Sequence, residues 1–244
     1  MTSAPSLAAL GPLALFLDFD GTLVEIADHP DGVTIGPPTL EVLGTLCDKL
    51  GGALAIVTGR EIAVIDRHLA PLRLPVAGVH GLTRRNAGGI VSAVSSGDFV
   101  TTAARRLGAF VERHDGLLLE PKGVTLALHY RARPELEAAC IAAFEDVISN
   151  MPGIELKRGK MVLEAKPNIA NKGSAVLDFL EEAPFQGRTP CFAGDDVTDE
   201  DAFVVVNRLG GISIKVGDGE TVANYRAENT SAFLAWLRAA AIEL

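Results

Sequence analysis

Short apolar runs that stop at small polar clusters mark both ends of the chain. Leu13 to Leu17 is continuously apolar and stops at Asp18; Ala53 to Val57 is likewise apolar and stops at Thr58-Gly59-Arg60. Runs this short, bounded by glycine and polar residues, predict strands buried on both faces of a parallel sheet. Between them Leu40, Val42, Leu43, Leu46 and Leu50 recur at helical spacing after Pro37-Pro38, completing a β-α-β unit. A third apolar segment, Pro75 to Val79, leads to His80-Gly81. The alternation resumes late in the chain. The pattern predicts a helix over Lys172 to Glu182, a strand over Thr189 to Ala193, a helix starting at Thr198 or Asp199, a strand over Gly211 to Val216 and a closing helix over Ser231 to Ile242.

The middle of the chain has another character. Phe99 to Arg113 is helical in period, and Leu117 to Pro121 and Val124 to Tyr130 read as strands on either side of a Lys122-Gly123 turn. Pro134 to Ser149 is helical again, with Pro134 suited to a first turn. Ile154 to Lys157 and Lys160 to Lys166 then flank Arg158-Gly159 as a second hairpin. Helix, hairpin, helix, hairpin is an α+β arrangement with antiparallel strands, so an inserted second domain is expected at about 84–167, within a core formed by 1–83 and 168–244.

Composition narrows the classes. Of 244 residues 48% are apolar and 22% charged, with Gly 25 and Pro 13, which excludes a disordered or low-complexity chain. The net charge of -9 and the absence of any run of five basic residues argue against nucleic acid or an anionic membrane surface as partner. Cys47, Cys140 and Cys191 are odd in number and far apart, giving neither a metal pattern nor a disulfide framework, and suit a reducing cytoplasm. Met1 to Leu17 lacks the basic start of a signal peptide and no stretch is apolar enough to span a bilayer, so a cytoplasmic protein is expected. No feature of the sequence speaks to oligomeric state.

Chemistry enters at the strand ends. Asp18-Phe19-Asp20-Gly21-Thr22 follows the first buried strand and Gly194-Asp195-Asp196 follows a later one, and ligands of open parallel sheets bind at the carboxyl ends of the strands. Two carboxylate clusters at one sheet edge would repel unless something positive lay between them. A hard divalent cation meets that need, and Mg²⁺ suits a site that keeps waters and a phosphate. In an extended segment Asp18 and Asp20 would share a side. Other readings stand beside these. An Asp at a strand end can cap the next helix, and for Asp199 the capping and catalytic readings are equally open. Thr58 could be an ordinary N-cap. Lys172, at a helix start, opposes the helix dipole, which favours a functional reason over a solvated surface charge.

Asp18-Phe19-Asp20-Gly21-Thr22, Thr58-Gly59-Arg60, Lys172 and Gly194-Asp195-Asp196 resemble, in order, the four motifs of the haloacid dehalogenase (HAD) superfamily of phosphatases. The resemblance implies an α/β fold: a Rossmann-like HAD core with a parallel sheet and an inserted α+β cap domain of the C2 type. It implies that Asp18 attacks phosphorus to give an aspartyl-phosphate. Asp20 would protonate the leaving oxygen and later deprotonate water. Thr58 and Lys172 would hold the phosphoryl group, and Asp18, the backbone carbonyl of Asp20 and Asp195 would hold Mg²⁺.

Finer stretches resemble one branch, the trehalose-6-phosphate phosphatases. These are Gly194-Asp195-Asp196-Val197-Thr198-Asp199-Glu200-Asp201-Ala202-Phe203, Leu119-Glu120-Pro121-Lys122 with Leu128-His129-Tyr130-Arg131, and Val162-Leu163-Glu164-Ala165-Lys166-Pro167 followed by Asn171-Lys172-Gly173. The branch implies hydrolysis of trehalose 6-phosphate to trehalose and phosphate, the last step of trehalose synthesis. Glu120, Lys122 and Glu164 would then bind glucose hydroxyls, with Asp18, Phe19, Asp20, Gly59, Arg60 and His80 also contacting substrate. Without the resemblance, Glu120 and Lys122 read equally well as a solvated cross-strand ion pair, and His80 as a structural histidine. Two positions depart from the branch: Val79 stands where Glu is usual before His-Gly, and Lys166 where Arg is usual, which loses a planar bidentate contact. The alternatives are a phosphatase for another sugar phosphate, such as sucrose phosphate or mannosyl-phosphoglycerate, and a non-catalytic sugar-phosphate-binding protein.

Overall fold

The computed structural model describes residues 5–6, 11–26, 32–93, 99–159 and 161–244. They form two compact units, one from the described residues of Met1–Ser92 and Ala170–Leu244, the other from those of Ala93–Ile169.

In the first unit β1 (Leu13–Leu17) is buried along its whole length and lies between β10 (Thr189–Gly194) and β2 (Leu54–Val57), parallel to both. Beyond β2 the parallel pairing continues to β3 (Val76–Gly78), and beyond β10 to β11 (Ile212–Val216) and β12 (Tyr225–Ala227). The chain therefore winds outward from β1 in one direction and, after the second unit, from β10 in the other. The gap between the ends of β1 and β10 is the switch point at which open α/β sheets bind their ligands.

α1 (Pro37–Lys49) starts on two prolines and ends at a turn in which Gly51 takes φ 59, so the expected helix is found with both punctuation marks in place. α2 (Ile62–Leu69), α5 (Lys172–Leu180), α6 (Glu200–Arg208) and α7 (Thr230–Glu243) complete the layers. Leu43 and Leu46 of α1, Phe179 of α5, Phe203 of α6 and Phe233 of α7 share one buried cluster with β1.

β4 (Thr83–Arg85) pairs antiparallel with β3, and β5 (Val91–Ala93) follows it in the same eight-stranded sheet. Residues expected to open the insertion at 84 thus extend the first sheet. The reason is Arg85: it is buried, its guanidinium grips both oxygens of Asp66 on α2 at 2.6 Å, and it donates to the Leu74 carbonyl at 2.7 Å. Those bonds belong to the first unit and hold β4 there.

The second unit packs α3 (Phe99–Val111) and α4 (Glu137–Ile148) on one face of an antiparallel sheet ordered β6 (Leu118–Lys122), β7 (Thr125–His129), β9 (Val162–Pro167), β8 (Ile154–Gly159). Leu126, Leu128, Leu163 and Ala165 face Leu107 and Phe144 across a separate core. Both hairpin turns sit one or two residues later than the sequence suggests. Lys122 pairs with Thr125, leaving Gly123-Val124 as the turn, with Gly123 at φ 59. Gly159 pairs with Val162, so Arg158-Gly159 belongs to β8; Met161, at φ 63, takes the left-handed turn position, and Lys160 lies outside the described residues.

Candidate active site

β1 delivers Asp18 to the switch point. Its N–H donates to the Ala193 carbonyl of β10 at 2.9 Å, so the ladder runs one residue past the strand. α5 is locked at its start by a reciprocal cap. Asn171 Oδ1 accepts from the Ser174 N–H at 2.8 Å, and the Ser174 hydroxyl accepts from the Asn171 N–H at 3.0 Å. Lys172, the first residue of α5, is 2% exposed and so is no solvated surface charge. Its Nζ lies 2.9 Å from Asp18 Oδ1 and 2.7 Å from Asp199 Oδ1.

Asp199 places no side-chain cap on α6; it closes the turn just before that helix instead. Its Oδ2 accepts the N–H groups of Asp195 and Asp196, each at 3.0 Å, completing a capping box with Asp196, while its other oxygen receives Lys172. Gly194 permits this, since a Cβ there would stand 2.2 Å from Asp199 Cγ. Gly21 plays the same part for Asp195: at φ 77, any Cβ would meet Asp195 Oδ2 at 2.0 Å.

The electrostatics are those of excess negative charge in a dry place. Burial pushes the Asp18 carboxyl up to about 7 against the pull of Lys172. Burial, reinforced by the charge of Asp18, likewise raises Asp199 to about 7 although Lys172 opposes it. Burial, together with Asp199 and Asp196, raises Asp195 to about 6. Burial works against the Lys172 ammonium too, yet the carboxylates of Asp18 and Asp199 outweigh it and hold its pKa above the ordinary lysine value. Lys172 alone does not balance the carboxylates of this cluster.

Asp18, Asp195 and Asp199 each offer an oxygen, the three lying within 4.8 Å of one another. Asp199 has both oxygens occupied by N–H donors, so Asp18 and Asp195 are the carboxylates available to a cation. An all-oxygen donor set with unbalanced negative charge fits a hard divalent ion.

At the end of β2, Thr58 is buried, and its Oγ1 accepts from the Arg60 N–H at 3.2 Å. It caps no helix, because α2 begins later with Glu61 at its N-cap. Arg60 sits 5.5 Å from the Phe19 ring centroid and grips Asp20 with Nε and Nη2, both at 2.6 Å. Asp18 and Asp20 therefore have different partners: Asp18 is buried on Lys172 and Asp20 is engaged by Arg60. Val79 and His80 take φ of 51 and 55, a left-handed pair strained for residues with a Cβ. The pair is held because the Val79 N–H donates to the Arg60 carbonyl at 3.0 Å and the His80 N–H to the Thr58 carbonyl at 2.9 Å. A Cβ on Gly59 would stand only 2.8 Å from the His80 ring, so His80 and Thr58-Gly59-Arg60 form one packed group.

In the second unit, register puts Glu120, Lys122 and Glu164 on the sheet face opposite the helices, with Ala127 pairing between the two glutamates. Glu120 lies 2.7 Å from His129 Nε2 and 3.3 Å from Lys122 Nζ; the Thr125 hydroxyl donates to Glu164 at 2.8 Å. Glu120 and Lys122 are 44% and 38% exposed, so their pair is a surface one worth under about 1 kcal/mol. Lys166 is 3% exposed, 3.3 Å from Glu155.

Residues 16–234 match the trehalose-phosphatase family model. The chain belongs to the trehalose-phosphatase family. It is 41% identical over 238 residues to the trehalose-6-phosphate phosphatase of Escherichia coli, spanning 97% of this chain and 89% of that protein. A probable trehalose-phosphate phosphatase of Sinorhizobium fredii is 44% identical over 206 residues, 84% of this chain and 77% of its own length. Among solved structures, a trehalose-6-phosphate phosphatase related protein superposes with a TM-score of 0.73 at 27% identity, covering 93% of this chain and 95% of that one. A HAD-superfamily phosphatase from Bacteroides thetaiotaomicron shares the fold, with a TM-score of 0.65 at 13% identity over 95% of each chain. The protein is thus a phosphatase with a HAD-type α/β fold, as its motifs suggest. No helix among the described residues is long and apolar enough to cross a membrane.

His129, within a stretch that resembles the branch, contacts Glu120, whereas one polar residue escapes motif reading: Lys215 reaches the Asp195 carbonyl from β11. Lys215 does leave a trace in the sequence: it is the sole charge in the apolar strand Ile212–Val216.

Proposed function

We propose that the chain hydrolyses trehalose 6-phosphate to trehalose and phosphate through a phosphorylated Asp18, with Mg²⁺ required, as the last step of trehalose synthesis. The observation that carries this reading is the buried Lys172 between Asp18 and Asp199, beside Asp195 at the switch point. A carboxylate kept dry next to an ammonium suits in-line attack on phosphorus, because the ammonium offsets the charge of both nucleophile and phosphoryl group.

Asp18 forms the new P–O bond as the P–O bond to the sugar breaks, and Asp20 gives its proton to the departing sugar oxygen. Asp20 then takes a proton from water, whose oxygen attacks phosphorus, releasing phosphate and restoring Asp18. Both Asp20 oxygens receive Arg60 in the structure, so this role needs Arg60 to let go and turn to the phosphoryl oxygens. Thr58 donates its hydroxyl to the same oxygens, with Gly59 and the His80 ring shaping the wall beside it and Phe19 supporting Arg60. Bound Mg²⁺, held by Asp18, the Asp20 carbonyl and Asp195, would neutralise charge on the phosphoryl group. The second unit is read as the substrate-recognising cap, in which Glu120, Lys122 and Glu164 hydrogen-bond sugar hydroxyls. The three cysteines are free, in keeping with a cytoplasmic setting.

Phosphate release from a panel of sugar phosphates and an aryl phosphate, with Mg²⁺ or EDTA, tests the proposal. Trehalose 6-phosphate is expected to be turned over fastest and EDTA to abolish turnover. Equal rates across the panel would remove the substrate assignment, and activity untouched by EDTA would remove the metal.

A further inference from the structure

Lys215 occupies an unusual place for a lysine. It lies at the carboxyl end of β11, paired in register with Gly194 of β10, and is 5% exposed. Burying an ammonium costs several kcal/mol unless it is paired and hydrogen-bonded. The hydrogen bonds of Lys215 Nζ go to two backbone carbonyls, Val216 at 3.0 Å and Asp195. Neither carbonyl needs a lysine for the fold alone, since water or an N–H donor would satisfy it. What sets the place apart is its neighbour.

The Asp195 carbonyl belongs to the loop that carries one of the two carboxylates open to a cation. That loop is held from one side by Asp199, which receives the N–H groups of Asp195 and Asp196. Lys215 holds it from the other side by the carbonyl. The Asp195 side chain then stands against Gly21, where no Cβ fits, and Thr230 donates to the Gly21 carbonyl at 2.8 Å to fix the opposing wall. The two ammonium groups make different contacts here: Lys172 pairs with the carboxylates of Asp18 and Asp199, while Lys215 bonds the backbone carbonyl of Asp195.

We propose that Lys215 is a positioning residue, which clamps the Asp195 carbonyl and so orients the Asp195 carboxylate for the divalent cation. The inference rests on the Mg²⁺ reading above. It makes Lys215 matter to the metal more than to the sugar: outer partners of metal ligands typically contribute about 10–100-fold to metal affinity.

The test is calorimetric titration of substrate-free protein with Mg²⁺, comparing wild type, Lys215→Met, Lys215→Gln, Ser213→Ala and Asp195→Asn, with metal-free melting curves of each. Ser213 is buried on the same strand and donates to Asn207 at 2.6 Å, outside the cluster, so its variant reports the effect of loosening β11 alone. Lys215→Met is expected to raise the Mg²⁺ dissociation constant at least about 10-fold, while Ser213→Ala leaves it within about twofold. In activity assays the Lys215→Met defect should shrink as Mg²⁺ is raised, with KM for the sugar phosphate at saturating Mg²⁺ unchanged. Should the methionine variant not fold, Lys215→Gln, which keeps N–H donors on a shorter stem, is expected to weaken Mg²⁺ at least about threefold. Wild-type affinity in the folded Lys215 variants, or equal weakening by Ser213→Ala, would overturn the proposal. A wild type that binds no Mg²⁺, or binds it undiminished in Asp195→Asn, would instead overturn the metal reading itself.

Discussion

The two polar surfaces of this protein are built on opposite principles. At the switch point of the first sheet the charged groups are buried, Lys172 and Asp199 almost completely, and are held by backbone N–H groups, glycines that admit close approach and a capped helix start. On the helix-free face of the second sheet, Glu120 and Lys122 remain more than a third exposed, and their partners are other side chains. Charges in a dry, rigid place interact strongly and are costly to disturb; charges in water interact weakly and can exchange partners with a ligand. The first arrangement suits making and breaking a bond, the second recognition of hydroxyl groups.

The largest expected effect lies in the first region. Lys172→Met removes the ammonium that two buried carboxylates share and should cost about 3–5 kcal/mol of stability in metal-free protein, read by urea or thermal unfolding, along with nearly all turnover. A variant as stable as wild type would mean that the cluster is wetter than its burial indicates. Next come Glu120→Ala and Glu164→Ala. Each should lower kcat/KM for trehalose 6-phosphate by roughly 1–3 kcal/mol, about 5–150-fold, while hydrolysis of an aryl phosphate stays near wild type. A parallel fall on both substrates would merge the two regions into one functional unit and end the division drawn here.

A further effect is on pH dependence, and it has opposite signs in two places within the first unit. Asp18 and Asp199, raised from 3.8 to about 7, and Asp195, raised to about 6, bind protons in the folded state that the unfolded chain has already lost. Their contribution is present in full below pH about 4 and disappears as pH rises through 6 and 7, so metal-free protein should lose stability across that window. Mg²⁺ should flatten the slope. Asp66 behaves in the reverse sense. The hydrogen bonds from Arg85 hold it below the ordinary carboxylate value against a smaller cost of burial, so its contribution is present above pH about 4 and is lost as pH falls further. Unfolding curves in EDTA and in Mg²⁺ from pH 3 to 8 distinguish the two, and a flat profile in EDTA would contradict the excess charge assigned to the cluster.

Much of the fold is legible in the chain because its signals are long. β1, β2, β10 and β11 are apolar runs buried on both faces, and α1 carries its own prolines and closing glycine. The three-residue strands β4, β5 and β12 are too short to show a period, and the two turns of α2 leave little pattern. Arg158-Gly159 looks like a turn, yet pairing continues through it because the turn conformation is supplied by Met161.

The site divides in the same way. Asp18 and Asp195 follow buried strands and can be found from that alone. The double duty of Asp199, the engagement of Asp20 by Arg60 and the carbonyl clamp of Lys215 depend on contacts across 27, 40 and 20 residues, which no local spacing encodes.

The proposed hydrolysis turns on covalent phosphorylation of Asp18. Rapid acid quench of the enzyme with substrate labelled in its phosphoryl group, followed by borohydride reduction and peptide mapping, tests it directly. Transient label on the protein and reduction of Asp18 alone to homoserine are expected, both absent in Asp18→Asn. Turnover with no protein-bound label at any quench time, or label carried on another residue, would contradict it.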